Sequence, residues 1–155
     1  MSLTAVRATR KSVFAILLLG SAVSALAQSD RSEWSLNGFR NPSVGLEYRK
    51  GDYSVHAGYY STILRDPGSA RSEASGFARI GATRWIDDRW YVSASALRGV
   101  DGPRDGRNFV IIEAGAQVRP HPNVALRLGV AVIPAAHGFK TKVNPTPGIS
   151  LVFKP

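Results

Sequence analysis

The sequence predicts an all-β protein, an eight-stranded antiparallel up-and-down transmembrane β-barrel preceded by a cleaved signal peptide. Three observations support this fold class. An apolar segment near the amino terminus is followed by small residues. The rest of the chain alternates polar and apolar residues over long stretches, and short and long connections take turns between those stretches. Alternation of this kind is typical of β-strands that separate two different environments.

The first 27 residues have the three parts of a secretory signal peptide. Three basic residues and no acidic residue precede the segment 13–23, which is almost wholly apolar. Ala25 and Ala27 then supply small side chains at the positions that signal peptidase requires before Gln28. The apolar run falls well short of the ~20 residues that a membrane-spanning helix needs. We therefore predict a signal peptide at 1–27 and a single mature domain at 28–155.

The composition excludes several classes of site. The chain contains no cysteine, which rules out disulfides and cysteine-based metal or redox centres. It also lacks a glycine-rich phosphate loop and a cluster of metal-ligating residues, so we expect no cofactor and no metal. The formal net charge is +9. Because the basic residues scatter over strands and connections instead of forming one patch, they do not indicate a nucleic-acid partner.

Eight stretches of the mature chain have the period-two pattern of strands, with turn residues between them. Several are longer than the usual strand of about 5–6 residues and match the ~9–11 residues of a tilted transmembrane strand. The predicted strands are Glu33–Arg40, Val44–Lys50, Tyr53–Leu64, Gly76–Ile86, Trp90–Val100, Asn108–Arg119, Val124–Ile133 and Pro147–Phe153.

One face of these strands is apolar, and the other combines small residues with a few charges of both signs. A soluble sandwich would place many lysines and glutamates on its polar face, whereas a narrow eight-strand lumen needs small residues and charges that pair. We therefore predict that the apolar face points outward to lipid, at Val55, Ile80, Val92, Ile112 and Leu128. The predicted lumen network consists of Glu47, Arg49, His56, Arg79, Glu113, Gln117, Arg119 and Arg127. A filled ionic plug is favoured over a small pore.

The connections indicate the orientation of the barrel. The second, fourth and sixth are short, and the third, fifth and seventh (Arg65–Ser75, Asp101–Arg107 and Pro134–Thr146) are longer. The first, Asn41–Ser43, is short and is the one exception to this alternation. Outer-membrane barrels have short periplasmic turns and longer external loops, which predicts that both termini are periplasmic. Aromatic residues near strand ends suggest interfacial girdles: Trp34, Tyr48, Tyr53, Trp85, Trp90 and Phe153.

The last strand carries apolar residues at every second position, Ile149, Leu151 and Phe153. With the signal peptide, the strand lengths and the loop order, this pattern resembles the small eight-stranded bacterial outer-membrane β-barrel proteins. The stretch 41–49 is also similar to the opening of uncharacterised small barrels of bacteria and their phages. The resemblance implies an outer-membrane location and recognition of the last strand by the barrel-assembly machinery. Lys154 and Pro155 follow Phe153, whereas such proteins usually end on the aromatic residue. We expect a monomer.

Some small outer-membrane barrels are lipid A acyl hydrolases or acyltransferases that use a histidine, a serine and an acidic residue. Here Ser54 and His56 point to the same face of one predicted strand, and Glu47 lies on the neighbouring strand. These three residues are the only catalytic candidates, and the competing interpretation is a histidine packed among polar lumen residues. We expect no catalysis.

A basic external rim is the second candidate site. It could contact the phosphate groups of lipopolysaccharide, although acidic residues are interspersed with it. The rim candidates are Arg65, Arg71, Arg104, Arg107, Lys140 and Lys142. The predicted function is thus a structural, adhesion or lipopolysaccharide-contact role in the outer membrane. Two alternatives stay open: a lipid A-modifying enzyme, and a soluble periplasmic binding barrel of lipocalin-like architecture.

Overall fold

A computed structural model describes residues 32–39, 43–65 and 72–154. The predicted signal peptide therefore lies outside the described residues, as does Arg71. Within the described ranges, no helix is long and apolar enough to cross a membrane. The regular structure is almost entirely β, with one short 3₁₀ helix at Gly102–Arg104.

Nine strands follow one another along the chain. They are β1 Ser32–Phe39, β2 Val44–Lys50, β3 Tyr53–Arg65, β4 Ser72–Trp85, β5 Trp90–Gly99, β6 Asn108–His121, β7 Val124–Ile133, β8 Lys142–Pro145 and β9 Gly148–Phe153. The predicted and observed bounds agree within one or two residues for most strands. The larger differences are the earlier start of β4 and the final strand. Strand β6 extends two residues further than predicted, past a register shift between Val118 and His121.

The strands form one closed antiparallel barrel. Each strand from β1 to β7 pairs with the next one along the chain, β7 pairs with both β8 and β9, and β9 pairs back with β1. The β1–β9 and β6–β7 pairings close the sheet and so remove the long unpaired edges that an open sheet would have. The predicted up-and-down barrel is therefore confirmed.

The eighth strand of the barrel is longer than its sequence pattern indicates. Pro145 lies opposite Val130, and Gly148 lies opposite Arg127, so β8 and β9 continue one register against β7. The amide of Thr146 donates a hydrogen bond to the Gly129 carbonyl at 2.8 Å within this gap. The prediction that 134–146 is a loop was wrong for its last part, because two prolines interrupt the alternation without interrupting the register.

The two ends of the barrel differ. We call the end with the short connections 51–52, 86–89 and 122–123 the turn end, and the end with the connections 100–107 and 134–141 the loop end. Both Ser32 and Phe153, which begin and end the described strands, lie at the turn end.

The wall separates an apolar exterior from an interior that holds buried polar and charged side chains. Large apolar side chains face outward in the middle of the barrel and are about half exposed or more, among them Ile80 at 58%, Ile112 at 53% and Leu128 at 65%. The inward positions of the same strands carry the buried polar and charged residues. Of the residues predicted to form an aromatic girdle, Trp34 and Tyr48 lie together at the turn end, with ring centroids 4.8 Å apart. Trp85 does not belong to it, because its side chain is buried inside the barrel.

Inward-facing glycines keep the wall of the barrel close-packed between β2 and β3. Gly45 and Gly58 lie opposite each other. A Cβ atom added to Gly58 would lie 2.3 Å from the Val44 carbonyl oxygen and 2.5 Å from the Gly45 Cα atom. Both atoms belong to the backbone, so the strands would have to move apart to accept a side chain.

We therefore expect Gly58→Ala to lower the free energy of unfolding by about 1–3 kcal/mol, the usual cost of overpacking. Gly38→Ala is the matched control, because its added Cβ would meet only ordinary contacts with Ile149 at 3.7 Å. Urea unfolding followed by tryptophan fluorescence measures both variants. Equal stability of the two would contradict a tight wall at Gly58.

Candidate functional site: the lumen and the loop end

A cluster of charges closes the turn end of the barrel. The Glu33 carboxylate on β1 accepts hydrogen bonds from both terminal nitrogens of Arg119 on β6, one of them at 2.9 Å. The Arg49 guanidinium lies 3.9 Å from Glu33 and 3.5 Å from Asp88. The predicted lumen residues Arg49 and Arg119 thus lie at this mouth, and Arg119 is partly exposed there.

The same mouth is organised by the turn between β4 and β5. The backbone amides of Trp90 and Arg89 both donate to one carboxylate oxygen of Asp87, at 2.7 Å each. These two hydrogen bonds, first that of Trp90, hold the pKa of Asp87 below its ordinary value. The turn therefore keeps its acceptor in the ionised form that the amides favour.

A buried ion pair, which we call the lower ion pair, lies deeper in the lumen. Arg127 on β7 donates to Glu47 on β2 at 2.6 Å, and Asn37 donates to the same carboxylate oxygen at 2.7 Å. Ser54 donates to the other oxygen of Glu47. Arg127 also donates to Gln117 at 3.0 Å. Both oxygens of the carboxylate are satisfied, which offsets much of the cost of burying its charge.

Trp85 holds the lower ion pair in place from the turn end. The guanidinium carbons of Arg49 and Arg127 lie 4.4 Å and 5.1 Å from its ring centroid. Its indole nitrogen donates to Ser54 at 3.1 Å. An arginine over an indole face gains a cation–π interaction, so Trp85 stabilises two of the lumen arginines.

A second buried pair, the upper ion pair, lies nearer the loop end. Arg79 on β4 donates to Glu113 on β6 at 3.2 Å, with side chains only 9% and 3% exposed. Tyr91 and Thr146 donate to the other carboxylate oxygen of Glu113 at 2.8 Å and 3.0 Å. The Tyr91 hydroxyl reaches that position because the opposed residues Gly115 and Gly129 carry no side chain, and a Cβ on either would lie within 3 Å of it.

The three catalytic candidates do not form a triad. The Ser54 hydroxyl is bonded to Glu47, whereas His56 Nε2 lies 2.8 Å from the Ser95 hydroxyl on β5. The other ring nitrogen of His56 lies 3.4 Å from Thr83. Within the described ranges, no carboxylate forms a hydrogen bond with His56, and Arg79 donates to Ser95 at 3.0 Å. A serine that already accepts from an arginine deep in a barrel is poorly placed to attack a substrate.

A small cavity separates the two ion pairs. Its volume is about 30 Å³, and its walls include Asn37, His56, Tyr60 and both ion pairs. A space of this size holds about two water molecules. Two buried oxygens on its wall, Asn37 Oδ1 and Ser93 Oγ, have no protein partner in the described structure, so they are suited to bind such waters. No group of three or more potential metal ligands occurs among the described residues.

Apolar side chains fill the lumen at the loop end, a feature that the sequence interpretation missed. We call this set the apolar plug. It consists of Tyr60, Phe77, Leu97, Phe109, Ile111, Ala131, Ile133 and Phe139. All but Phe139 come from inward positions of the strands. The alternation marked these positions as inward-facing, but it contains no information about height along the barrel axis.

The basic rim is smaller than predicted. Arg104 is only 2% exposed, and its guanidinium carbon lies 3.8 Å from the Phe139 ring centroid, so it is not a surface cation. This correction follows from the 3₁₀ helix, which turns the side chain of Arg104 inward. Arg107 and Lys140 are exposed, and Lys142 is half-buried. Arg65 is the last residue of β3, and Arg71 lies outside the described residues.

Two contacts attach the rim to the barrel. Asp101 accepts a hydrogen bond from the Tyr59 hydroxyl at 2.8 Å and another from the Gly76 amide. His137 Nε2 lies 2.8 Å from the Asn108 carbonyl oxygen, and its ring packs edge-on against Phe109. Each of these two long connections is therefore held by strands that neither precede nor follow it directly in the chain. Strands β3 and β4 hold the connection 100–107, and β6 holds the connection 134–141.

Comparisons with known proteins concern the fold. No protein-family model and no curated protein matches the chain. Two solved structures of the Yersinia pestis outer membrane protein Ail are similar to it. The first, the backbone structure in a phospholipid bilayer nanodisc, is 15% identical, with a TM-score of 0.48, and covers 79% of this chain and 98% of Ail. The second, the crystal structure of this attachment invasion locus protein, is 14% identical, with a TM-score of 0.45, and covers 79% of this chain and 93% of Ail.

The lower ion pair yields a stability prediction. We expect Glu47→Gln to lower the free energy of unfolding by about 3–5 kcal/mol, because it leaves Arg127 buried without a counter-charge. Glu33→Gln removes a carboxylate from the partly exposed mouth cluster and should cost only about 0–1 kcal/mol. Urea titration of both variants provides the measurement. A loss for Glu47→Gln no greater than that for Glu33→Gln would show that the lumen pair is not structurally important.

Proposed function

We propose that this protein is an outer-membrane β-barrel of a Gram-negative envelope with a structural or adhesive role and without catalysis. One observation carries the proposal: the outward face of the barrel is apolar at mid-height, and its charges lie inside. Water would favour the opposite arrangement, whereas a bilayer favours this one. The same observation disfavours a soluble lipocalin-like barrel, which needs its charges outside.

The orientation follows from the two ends. We assign the turn end, where the described strands begin at Ser32 and end at Phe153 and where Trp34 and Tyr48 lie, to the periplasm. The loop end then faces the exterior, where long loops usually carry recognition. The last strand, with Ile149, Leu151 and Phe153 outward and about half exposed, is suited to recognition by the assembly machinery. We assign no catalytic role to His56, because both nitrogens of its ring already lie against hydroxyl groups on β4 and β5.

A matched pair of arginine substitutions tests the membrane placement. Leu128 and Ile86 are almost equally exposed, at 65% and 67%, but Leu128 lies at mid-height and Ile86 in a turn at the end of the barrel. In a bilayer, Leu128→Arg should cost about 2–4 kcal/mol and Ile86→Arg about 0–1 kcal/mol. The measurements are the free energy of unfolding in phospholipid vesicles and the heat-dependent gel mobility of the outer-membrane fraction.

The result separates two environments. In a water-soluble barrel both substitutions would fall at exposed positions and change stability by no more than about 0.5 kcal/mol. Equal, small effects of Leu128→Arg and Ile86→Arg, together with recovery of the protein from the soluble periplasm, would overturn the membrane assignment.

At the loop end, we propose that exposed cations contact the phosphates of lipopolysaccharide. Arg107 and Lys140 are the exposed candidates that the structure describes. Replacing both by glutamine should weaken lipopolysaccharide binding at least tenfold at low salt, since each basic residue at an anionic surface contributes about 1 kcal/mol.

The control for this experiment is the pair Arg89→Gln and Lys154→Gln at the turn end, where both residues are exposed. This pair removes the same charge from the opposite end of the barrel. Binding is measured as the lipopolysaccharide-dependent rise in the thermal midpoint of the purified protein. An equal loss in both double variants would indicate nonspecific charge attraction and contradict a loop-end site.

A further inference from the structure

We propose that the seven strand residues of the apolar plug line a binding cup for the hydrocarbon chain of a single-chain anionic amphiphile such as a fatty acid. Phe139, the eighth residue of the plug, occupies this cup in the absence of ligand. The cup lies inside the barrel at the loop end. Its mouth shares Arg107 with the exposed cations that we assign to lipopolysaccharide contact. Binding of a chain inside the barrel does not depend on that contact.

The chemistry of the lumen lining changes along the barrel axis. From the turn end to the upper ion pair, the lumen is lined mainly by charged and hydroxyl-bearing side chains. Above that level its lining becomes apolar, with Phe77 and Phe109 in edge-on contact at 5.7 Å between ring centroids. Interiors of transmembrane barrels are usually polar, so an apolar mouth is a departure from that rule. Concave apolar sites with a few polar groups at their edge are typical ligand pockets.

The side chain that fills the cup does not belong to a strand. Phe139 is contributed by the connection between β7 and β8 and not by the wall. It lies on a tight turn in which Ala136 and Phe139 form an isolated bridge. His137 and Gly138 have positive φ angles of 51° and 84°, a conformation that is uncommon for residues other than glycine and typical of tight turns. Phe139 can therefore leave the cup without breaking any pairing between strands.

Two arginines beside Phe139 indicate the head group of the ligand. The guanidinium carbons of Arg104 and Arg107 lie 3.8 Å and 5.6 Å from the Phe139 ring centroid. A hydrocarbon chain that replaced this ring would place the head group of the ligand beside both guanidinium groups. Arginine binds carboxylate and phosphate with paired hydrogen bonds, whereas it repels a cationic head group. The cup thus favours an anionic amphiphile over a neutral or cationic one.

The floor of the cup limits the ligand. Tyr60 belongs to the apolar plug and also borders the polar cavity between the ion pairs. Arg79 lies beneath it, with its guanidinium carbon 5.9 Å from the Tyr60 ring centroid. A hydrocarbon chain that extended below this level would gain no binding free energy, because it would displace paired charges. The cup therefore has room only for the terminal part of one hydrocarbon chain. We expect one ligand per barrel.

Decanoate is the probe for the test, and neighbouring isoleucines give an internal control. Ile111 and Ile133 face the cup, whereas Ile112 and Ile80 face outward on the barrel wall. The protein is placed in phosphatidylcholine nanodiscs with its isoleucine methyl groups labelled for NMR. Decanoate should shift the Ile111 and Ile133 methyl signals in a saturable manner. The Ile112 and Ile80 signals report only the decanoate that dissolves in the bilayer.

Three variants, with a fourth in reserve, test the roles of Phe139 and of the arginines separately. Phe139→Ala should tighten decanoate binding by about tenfold, because the ligand no longer competes with the ring. Arg107→Gln should weaken decanoate binding by about fivefold and leave 1-decanol binding unchanged, since only the carboxylate pairs with arginine. Arg98→Gln removes an exposed arginine at the same end, outside the cup, and should change neither. Phe139→Leu, which keeps an apolar filler, serves if Phe139→Ala does not fold.

The result that would overturn the proposal is equally specific. If decanoate shifts only Ile112 and Ile80, in the wild type and in the Phe139 variants alike, the amphiphile enters the bilayer alone. The plug would then be a packed core with no ligand. Saturable shifts of Ile111 and Ile133 that are unaffected by Arg107→Gln and equal for decanoate and 1-decanol would overturn the anionic class.

Discussion

The narrow lumen of an eight-strand barrel is the constraint on which the rest of this structure depends. Little water fits inside, so each inward charge must find an opposite charge on another strand. Arg127 reaches Glu47 from β7 to β2, and Arg79 reaches Glu113 from β4 to β6. These pairs cross the lumen and join strands that do not hydrogen-bond to each other. These ion pairs thus connect separate parts of the wall across the lumen, which backbone hydrogen bonds between adjacent strands do not.

Small inward residues make these ion pairs possible. Glycine at 115 and 129 leaves room for the Tyr91 hydroxyl to reach Glu113. Gly81 makes similar room beside His56 and Ser95, since a Cβ there would lie 2.7 Å from the imidazole and 2.4 Å from the hydroxyl. The large polar side chains and the glycines therefore form one packing arrangement. A side chain added at the glycines would disturb the ion pairs as much as the wall.

The barrel also divides its tasks along its axis. The turn end combines a charge cluster with an aromatic girdle, the middle holds the ion pairs, and the loop end is closed by apolar side chains and two fastened connections. Rigid strands below and connections above are the usual arrangement for presenting a recognition surface. Our functional proposals accordingly concern the loop end, where the chain can change conformation without disturbing the paired strands.

Several features followed directly from residue order. The alternation predicted which side chains point inward on each strand, because the side-chain period of a strand is two. It failed at the final strand, where Pro145 and Pro147 interrupt the pattern while the register against β7 continues. It also did not predict the environment of Trp85, because an aromatic residue at a strand end can face lipid or lumen. Arg104 was misjudged for a related reason, since a loop has no period from which to infer direction.

By itself, then, the sequence determined the β-barrel class, the two faces of the wall and the order of short and long connections, all of which depend on local periodicity. Only the tertiary structure decided which lumen side chains contact each other. Glu47 and Arg127 are 80 residues apart, and Asn144 and Thr62 are 82 apart, so their contacts depend on closure and strand tilt. Tertiary structure also placed Phe139 in the lumen. Height along the axis and the path of a loop are properties of the closed barrel, and local alternation does not encode either.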